Sequence, residues 1–210
     1  MGLEHLASYC RLLNMGSPFE PMEEPQEQFC GRLIRITTQK MKLQNGKEVT
    51  FEKAERSPGV RILVTDESRM LMTKEWRTEN NDWDYRLPGG KVCDSLDEYV
   101  QAMQNDMDEL AKNAAKKELE EETSLNLPIE SFEQIHHSVC GATIVWDLYY
   151  FLVKLPKDEV KELDSITTHE GEETHPQWLS FEEVKKLCVD GNVKEDRTVS
   201  VVLRFLASKS

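Results

Sequence analysis

Three glutamates near the middle of the chain have the spacing of a metal-binding face. Glu118, Glu121 and Glu122 stand at positions i, i+3 and i+4, so they share one side if the segment is helical. Three like charges on one face repel one another. A hard divalent cation such as Mg²⁺ would offset that repulsion, because it prefers carboxylate oxygens. The alternative interpretation is an acidic helix end that is simply solvated.

The segment that carries these glutamates has the periodicity of a helix. Between residues 96 and 119 apolar residues recur at steps of three and four. Ser95 and Glu98 form a candidate capping box at its start. The pattern leaves open whether it is one helix or two helices broken near Asn105 and Asp106.

The residues before this helix alternate in the manner of β-strands. Asn45-Gly46 lies between two alternating stretches, which predicts a hairpin because both turn positions favour positive φ. A second hairpin is predicted around residues 66–69. Residues 85–87 then lead as a strand into the tight loop Pro88-Gly89-Gly90.

Strands and then helices follow the glutamates. Strands are expected at residues 132–139 and 142–155. A capping box of Ser180 and Glu183 predicts a helix that stops near Gly191, and an amphipathic helix ends the chain. This order predicts a mixed α/β layered domain. We place it at residues 31–210, after an N-terminal helix and a proline-rich extended arm at residues 1–30.

Composition excludes several kinds of partner. The formal net charge is −13, which disfavours binding to a nucleic-acid polymer or to an anionic membrane surface. No apolar run approaches the length of a membrane span. The cysteines are odd in number and widely separated, which indicates reduced thiols and a cytoplasmic protein. They are Cys10, Cys30, Cys93, Cys140 and Cys188.

The glutamates and the preceding loop together resemble the Nudix box, G-x5-E-x7-R-E-U-x-E-E-x-G-U, where U is a bulky apolar residue. Leu87-Pro88-Gly89-Gly90 matches the loop that opens the box. The resemblance implies an α/β (α+β) fold of the Nudix type, a mixed sheet sandwiched between helices, with an N-terminal antiparallel strand hairpin. The other residues that fall on the spacing of the box are Glu109, Lys117, Glu118, Leu119, Glu121, Glu122 and Leu125.

Three features depart from the box. There are 18 residues between Gly90 and Glu109, where the family pattern has five. We expect this insertion, at about residues 91–108, to extend or duplicate the start of the helix and to rim the site. Lys117 replaces the family arginine and lacks its planar fork. Ser124 replaces the family glycine, and serine adopts positive φ less freely.

Motifs outside the box resemble the ADP-ribose and nucleoside-diphosphate-sugar pyrophosphatases of the family. They are residues 55–60, residues 72–77 and the ending from Gly191 onward. The hairpin around Asn45-Gly46 resembles strands that this group exchanges across a dimer, which implies a homodimer. The expected substrate is a small-molecule nucleoside diphosphate derivative, with ADP-ribose the first choice.

The resemblance also implies roles for individual residues. Glu118, Glu121 and Glu122, with the backbone carbonyl of Gly89, are expected to hold Mg²⁺ or Mn²⁺. Glu121 and Lys117 are counted among the catalytic residues. The general base is expected at Glu172 or Glu173, unless that loop is acidic without a catalytic role. Arg77 and Arg56 are candidate diphosphate ligands and Trp76 a candidate base-stacking residue, against the alternatives of surface ion pairs and a core aromatic.

A different class of function stays open from sequence alone. The insertion and the changes at Lys117 and Ser124 are compatible with a catalytically weak or inactive Nudix-fold module that binds or senses a nucleotide. Hydrolysis is favoured because the three glutamates of the face and Glu109 are all present.

Overall fold

The computed structural model describes residues 17–141, 143–156, 166–167 and 173–209, with the backbone alone at residues 166, 167 and 173. The helix expected at residues 3–14 and the candidate base Glu172 lie outside the described residues. The chain divides into two units. One contains the residues up to 55 together with 141–145, and the other contains 56–140 and 146–210.

The first unit is a five-stranded sheet. The order is β1-β3-β4-β9, and β2 also pairs with β3. The hairpin of β3 and β4 turns at Gly46, whose φ is +82°, as the Asn45-Gly46 pair predicted. The strands are β1 (Phe19–Pro21), β2 (Gln26–Cys30), β3 (Arg35–Leu43), β4 (Glu48–Glu55) and β9 (Ile144–Val145).

The proline-rich arm is therefore more than an extended linker. Its extended backbone forms β1 and β2, and both pair antiparallel with β3. These ladder hydrogen bonds join the arm to the hairpin within the first unit.

The second unit is built on a seven-stranded sheet. Its order is β11-β12-β6-β5-β10-β8, and β7 pairs with β6. β5 and β10 run parallel and the other neighbours run antiparallel. The strands are β5 (Gly59–Thr65), β6 (Arg69–Arg77), β7 (Asp82–Arg86), β8 (Glu133–Ser138), β10 (Leu148–Lys154), β11 (Ile166–Thr167) and β12 (Glu173–Ser180).

The prediction of a single strand over residues 142–155 is wrong. It is two strands, because Trp146 and Asp147 leave the ladder between them. β9 pairs with β4 in the first unit, and β10 pairs with β5 in the second.

Four helices and one 3₁₀ turn complete the described chain. Ser95 caps the first helix and Asp106 caps the second, so the long helical pattern is two helices. Ser180 and Glu183 form both bonds of the predicted capping box, and Gly191 follows that helix with φ +74°. The helices are α1 (Leu96–Ala102), α2 (Met107–Thr123), α3 (Phe181–Val189) and α4 (Asp196–Ala207), with the 3₁₀ turn at Ile129–Ser131.

The hydrophobic core lies on both faces of the second sheet. All seven residues of β5 are buried, because helices cover the strand on either side. α2 packs Ala111, Ala115 and Leu119 against one face, and α3 and α4 cover the other. Full burial of a leucine side chain such as Leu119 contributes about 1.5–3 kcal/mol. This arrangement confirms the mixed sheet sandwiched between helices.

None of the helices in the described ranges has both the length and the apolar character needed to cross a membrane.

Candidate active site

Two glycines, Gly89 and Gly90, lie at the candidate site. The loop before the insertion runs along the start of β5, where the Val60 N–H donates to the Gly90 carbonyl at 2.9 Å. Gly89 has φ +149°, and a Cβ there would lie 2.1 Å from the Val60 carbonyl oxygen. A Cβ on Gly90 would lie 2.4 Å from the carboxyl group of Glu118. Gly89 therefore requires glycine, and at Gly90 a side chain would displace the carboxyl group of Glu118.

Glu122 is half-buried against this loop. The Gly89 N–H donates to its Oε2 at 3.0 Å, which fixes the carboxyl group at the loop. Burial raises the pKa of Glu122 well above its ordinary value, and the carboxylates of Glu75 and Glu118 raise it further. The hydrogen bond from Gly89 and the charge of Arg61 only partly oppose that rise.

Glu118 is also affected by burial and by neighbouring charges. Burial raises its pKa to about 7, with Glu121 and Asp94 adding to the rise and Lys117 and Lys91 opposing it. Two carboxyl groups on one helix face thus resist ionisation together. A nearby cation would reverse that resistance.

Lys117 connects α2 to the insertion. Its Nζ lies 3.9 Å from Oε1 of Glu121 and 3.9 Å from Oδ2 of Asp94. The lysine side chain is 56% exposed, so these ion pairs contribute little to stability. Their effect is positional, because Lys117 stands between a predicted metal ligand and a residue of the insertion.

The insertion begins along the edge of the candidate site. The Val92 N–H donates to the Pro58 carbonyl and the Cys93 N–H to Ser57 Oγ, each at 2.9 Å. These bonds hold the insertion to the residues before β5. It then forms α1, a helix separate from α2.

Arg77 lies on the sheet face that carries α2. Side chains alternate along a strand, so Glu75 and Arg77 of β6 share that face and Trp76 points the other way. Arg77 Nη1 lies 3.5 Å from Glu75, and its Nε donates to Glu79 at 2.9 Å. The predicted diphosphate ligand is therefore held by two carboxylates.

Glu75 is a site residue that sequence reasoning missed. It is only 7% exposed and accepts a hydrogen bond from Thr73 Oγ1 at 2.7 Å. Its charge raises the pKa of Glu122, so Glu75 contributes to the electrostatics of the site. The sequence signal that could have found it is strand alternation, which places Glu75 in line with buried positions of β6.

Trp76 belongs to an exposed aromatic group. It is 44% exposed and contacts Trp83 edge-on at 5.7 Å, and Trp83 contacts His175 at 5.5 Å. The structure therefore does not bring Trp76 together with Arg77 and the glutamates of α2. Its stacking role stays a prediction.

Arg56 lies beside a different tryptophan. Its guanidinium is 4.8 Å from the ring centre of Trp146. Burial and the charge of Arg61 lower the pKa of Arg56. Arg56 therefore occupies the loop before β5, apart from the Arg77 group on β6.

A buried ion pair joins Arg61 of β5 to Glu195. Arg61 of β5 donates from Nε and Nη2 to both carboxylate oxygens of Glu195, at 2.8 and 2.9 Å. Burial alone would raise the pKa of Glu195, but Arg61, Arg86 and Thr198 lower it to about 2. The pair connects β5 to the residue that precedes α4.

Neither candidate general base is placed as a side chain. Glu172 lies outside the described residues, and Glu173 begins β12 with only its backbone described. The assignment of a base to this loop stays a prediction.

The α2 face fits a divalent cation by its chemistry. Glu118 and Glu122 offer carboxylate oxygens, the ligands that Mg²⁺ prefers, and a cation would relieve their repulsion. In the part of the chain described, no three His, Cys, Asp or Glu side chains are grouped around a common point.

Comparison with known proteins agrees with this geometry. A search of curated proteins finds no match. A family model, the NUDIX domain, matches residues 55–199, which include β5, the Gly89–Gly90 loop and α2. The match covers more than half of the chain, so the chain belongs to the NUDIX family and is a Nudix hydrolase, an enzyme that cleaves acid anhydrides.

Proposed function

We propose that this Nudix hydrolase cleaves the pyrophosphate bond of a nucleoside diphosphate linked to a sugar or a similar moiety, of the ADP-ribose or NDP-sugar type. The products are a nucleoside monophosphate and a sugar phosphate. The observation that carries the proposal is the pair of half-buried carboxyl groups, Glu118 and Glu122, beside the Gly89–Gly90 loop. The resemblance of residues 55–60 and 72–77 to the sugar-nucleotide group supports the substrate class.

The residues of α2 would hold the cation. Glu118, Glu121 and Glu122, with the carbonyl of Gly89, are the proposed ligands of Mg²⁺ or Mn²⁺. When bound, the cation neutralises phosphate charge and lowers the pKa of water. The N–H of Gly89 orients Glu122 through its 3.0 Å hydrogen bond.

Other residues of the chain would bind and orient the substrate. Arg77 and Arg56 would contact the phosphates, and Trp76 would stack on the base. Arg77 must then exchange Glu79 for a phosphate oxygen, which a surface ion pair allows at small cost. Lys117 would hold Glu121 in position, and Glu172 or Glu173 would accept the proton of the attacking water.

A substrate panel tests this proposal. ADP-ribose and several nucleoside diphosphate sugars are incubated with Mg²⁺ and the protein, and phosphate is measured after a phosphatase converts the products. We expect turnover of at least one substrate, and a loss of about 100-fold or more in Glu122→Gln. Glu122→Gln removes a half-buried group that resists ionisation, so it should not lower the stability of the metal-free protein.

The same helix supplies the matched control. Glu120 carries the same charge but accepts a hydrogen bond from Asn126 at 2.9 Å in an exposed position. Glu120→Gln should keep full activity. If no substrate turns over, or if Glu122→Gln and Glu120→Gln behave alike, the proposed function is wrong. Binding of a nucleotide without turnover would then favour the binding module.

A further inference from the structure

Two arginines without acidic partners meet at Trp146. The guanidinium of Arg56 lies 4.8 Å from the ring centre of Trp146, and that of Arg197 lies 4.6 Å from it. Arg197 also donates from Nη1 to the Trp146 carbonyl at 2.7 Å. Among the described residues, no carboxylate forms an ion pair with either arginine, although the chain carries a net charge of −13.

Buried donors at this cluster also lack acceptors. Nε of Arg56 and Nε1 of Trp146 are both buried, and neither has a hydrogen-bond partner among the described residues. Buried polar groups are normally paired, so two donors without a partner among the described residues leave room in this cluster for a bound acceptor. The nearby Arg61 does not need one, because Glu195 already binds its guanidinium at two points.

The cluster adjoins the loop of the candidate active site. A Cβ on Gly59 would lie 3.7 Å from Nε1 of Trp146 and 3.0 Å from the Gly90 carbonyl oxygen. Gly90 in turn contacts the carboxyl group of Glu118. Gly90 therefore lies between the glutamates of α2 and the arginine cluster.

We propose that Arg56, Trp146 and Arg197 form an oxyanion subsite that binds a phosphate group beside the Gly89–Gly90 loop. Guanidinium groups present paired N–H donors that match phosphate oxygens, and the indole N–H adds one more donor. The subsite deepens the proposed function where that phosphate belongs to the substrate. It acts without a metal ion, so it can be tested apart from hydrolysis.

The indole N–H of Trp146 reports on the subsite directly. The chain has four tryptophans, so ¹⁵N-labelled protein gives four indole N–H signals, and Trp146→Phe identifies the one that matters. Inorganic phosphate is titrated into the metal-free protein in the presence of a chelator, with chloride at equal ionic strength as the comparison. We expect a saturable shift of the Trp146 signal with phosphate and none with chloride.

Variants of the two arginines decide the interpretation. Arg56→Gln and Arg197→Gln should each weaken the apparent Kd for phosphate by about tenfold or more, and Arg197→Lys should retain part of the affinity. The other three indole signals show whether each variant is folded. The proposal is overturned if phosphate does not shift the Trp146 signal, or if both Gln variants bind phosphate as tightly as the unaltered protein.

A second arginine–tryptophan pair provides the matched control. Arg69 stacks on Trp178 at 5.7 Å, but its charge is paired with Asp66 at 2.9 Å. The Trp178 signal should not respond to phosphate, and Arg69→Gln should leave the Kd unchanged. An equal response at Trp178 would show that stacking alone attracts phosphate and would contradict the subsite.

Adding ADP-ribose to the phosphate-saturated protein separates the two sources of the phosphate group. Competition indicates that the subsite takes a phosphate of the substrate, and simultaneous binding indicates a free phosphate. Both results support the subsite. The substrate panel can fail while the Trp146 signal still responds, so failure of the proposed function and failure of the subsite are distinguishable.

Discussion

Ser124 holds a left-handed backbone at the end of α2. Its φ is 58° and its ψ is 16°, where the box has glycine. Serine adopts the conformation that glycine was expected to supply, at a cost of about 1–2 kcal/mol for a residue with a Cβ. The strain lies directly after the helix turn that carries Glu121 and Glu122.

Ser124→Gly should stabilise the protein. The substitution removes the strain but adds freedom to the unfolded chain, so we expect a net gain of about 0.5–1 kcal/mol in the free energy of unfolding. Urea denaturation followed by circular dichroism measures it. Ser124→Ala keeps the Cβ and should bring no such gain. A glycine variant no more stable than the alanine variant would show that the position is unstrained.

The spacing of the glutamates predicted one face of α2, because the helical repeat depends only on local sequence. The tight approach of Gly90 to Glu118 could not be predicted, because it depends on how the loop lies against β5. The effect of the Glu75 charge on Glu122 could not be predicted for the same reason. The orientation of Trp76, in contrast, follows from strand alternation and was within reach of the sequence.

Local signals defined most elements in advance. The hairpin at Asn45-Gly46 and the capping box at Ser180 were predicted because turn and cap chemistry involve neighbouring residues. The pairing of β1 and β2 with β3 was missed, because extended proline-rich sequence does not reveal a partner strand. The break between β9 and β10 was missed, because the two strands pair with different sheets.

The ion pair between Arg61 and Glu195 should make β5 and α4 sensitive to acid. The pKa of Glu195 is about 2 in the folded protein, below its ordinary 4.5. Its contribution to stability is therefore complete above about pH 4.5 and is lost as the pH falls from there toward 2. Glu195→Gln should lower the free energy of unfolding by about 3 kcal/mol at pH 7, because it leaves Arg61 buried without a counter-charge.

Denaturation curves recorded across the acid range test this expectation. The variant should also flatten the dependence of stability on pH between 4.5 and 2. Asp82→Asn is the matched control, because Asp82 pairs with Lys194 at 2.6 Å in an exposed position and should leave stability almost unchanged. An unaltered acid profile in Glu195→Gln would contradict the assigned pair.

The net charge of −13 opposes the binding of an anionic substrate to the molecule as a whole. Positive charge must therefore be supplied locally. We propose two local sources: a divalent cation held by the carboxyl groups of α2, and the arginines that stack on Trp146. We expect the metal-free protein to bind a nucleoside diphosphate derivative weakly, through the arginines alone.

The first unit exposes a row of apolar side chains that a second copy of the chain would cover. Strand register aligns Phe29, Ile36, Ala54 and Ile144 across four strands, with Phe29 53% and Ile144 49% exposed. Exposed apolar patches mark interaction sites, so we expect a homodimer in sedimentation velocity experiments.

The double variant Phe29→Glu, Ile144→Glu should weaken association by about 100-fold, since each apolar side chain contributes about 1.5 kcal/mol or more when buried. Val189 of α3 is 70% exposed in the other unit, so Val189→Glu should leave the dimer intact. A monomeric unaltered protein, or equal dissociation in both variants, would contradict this interface.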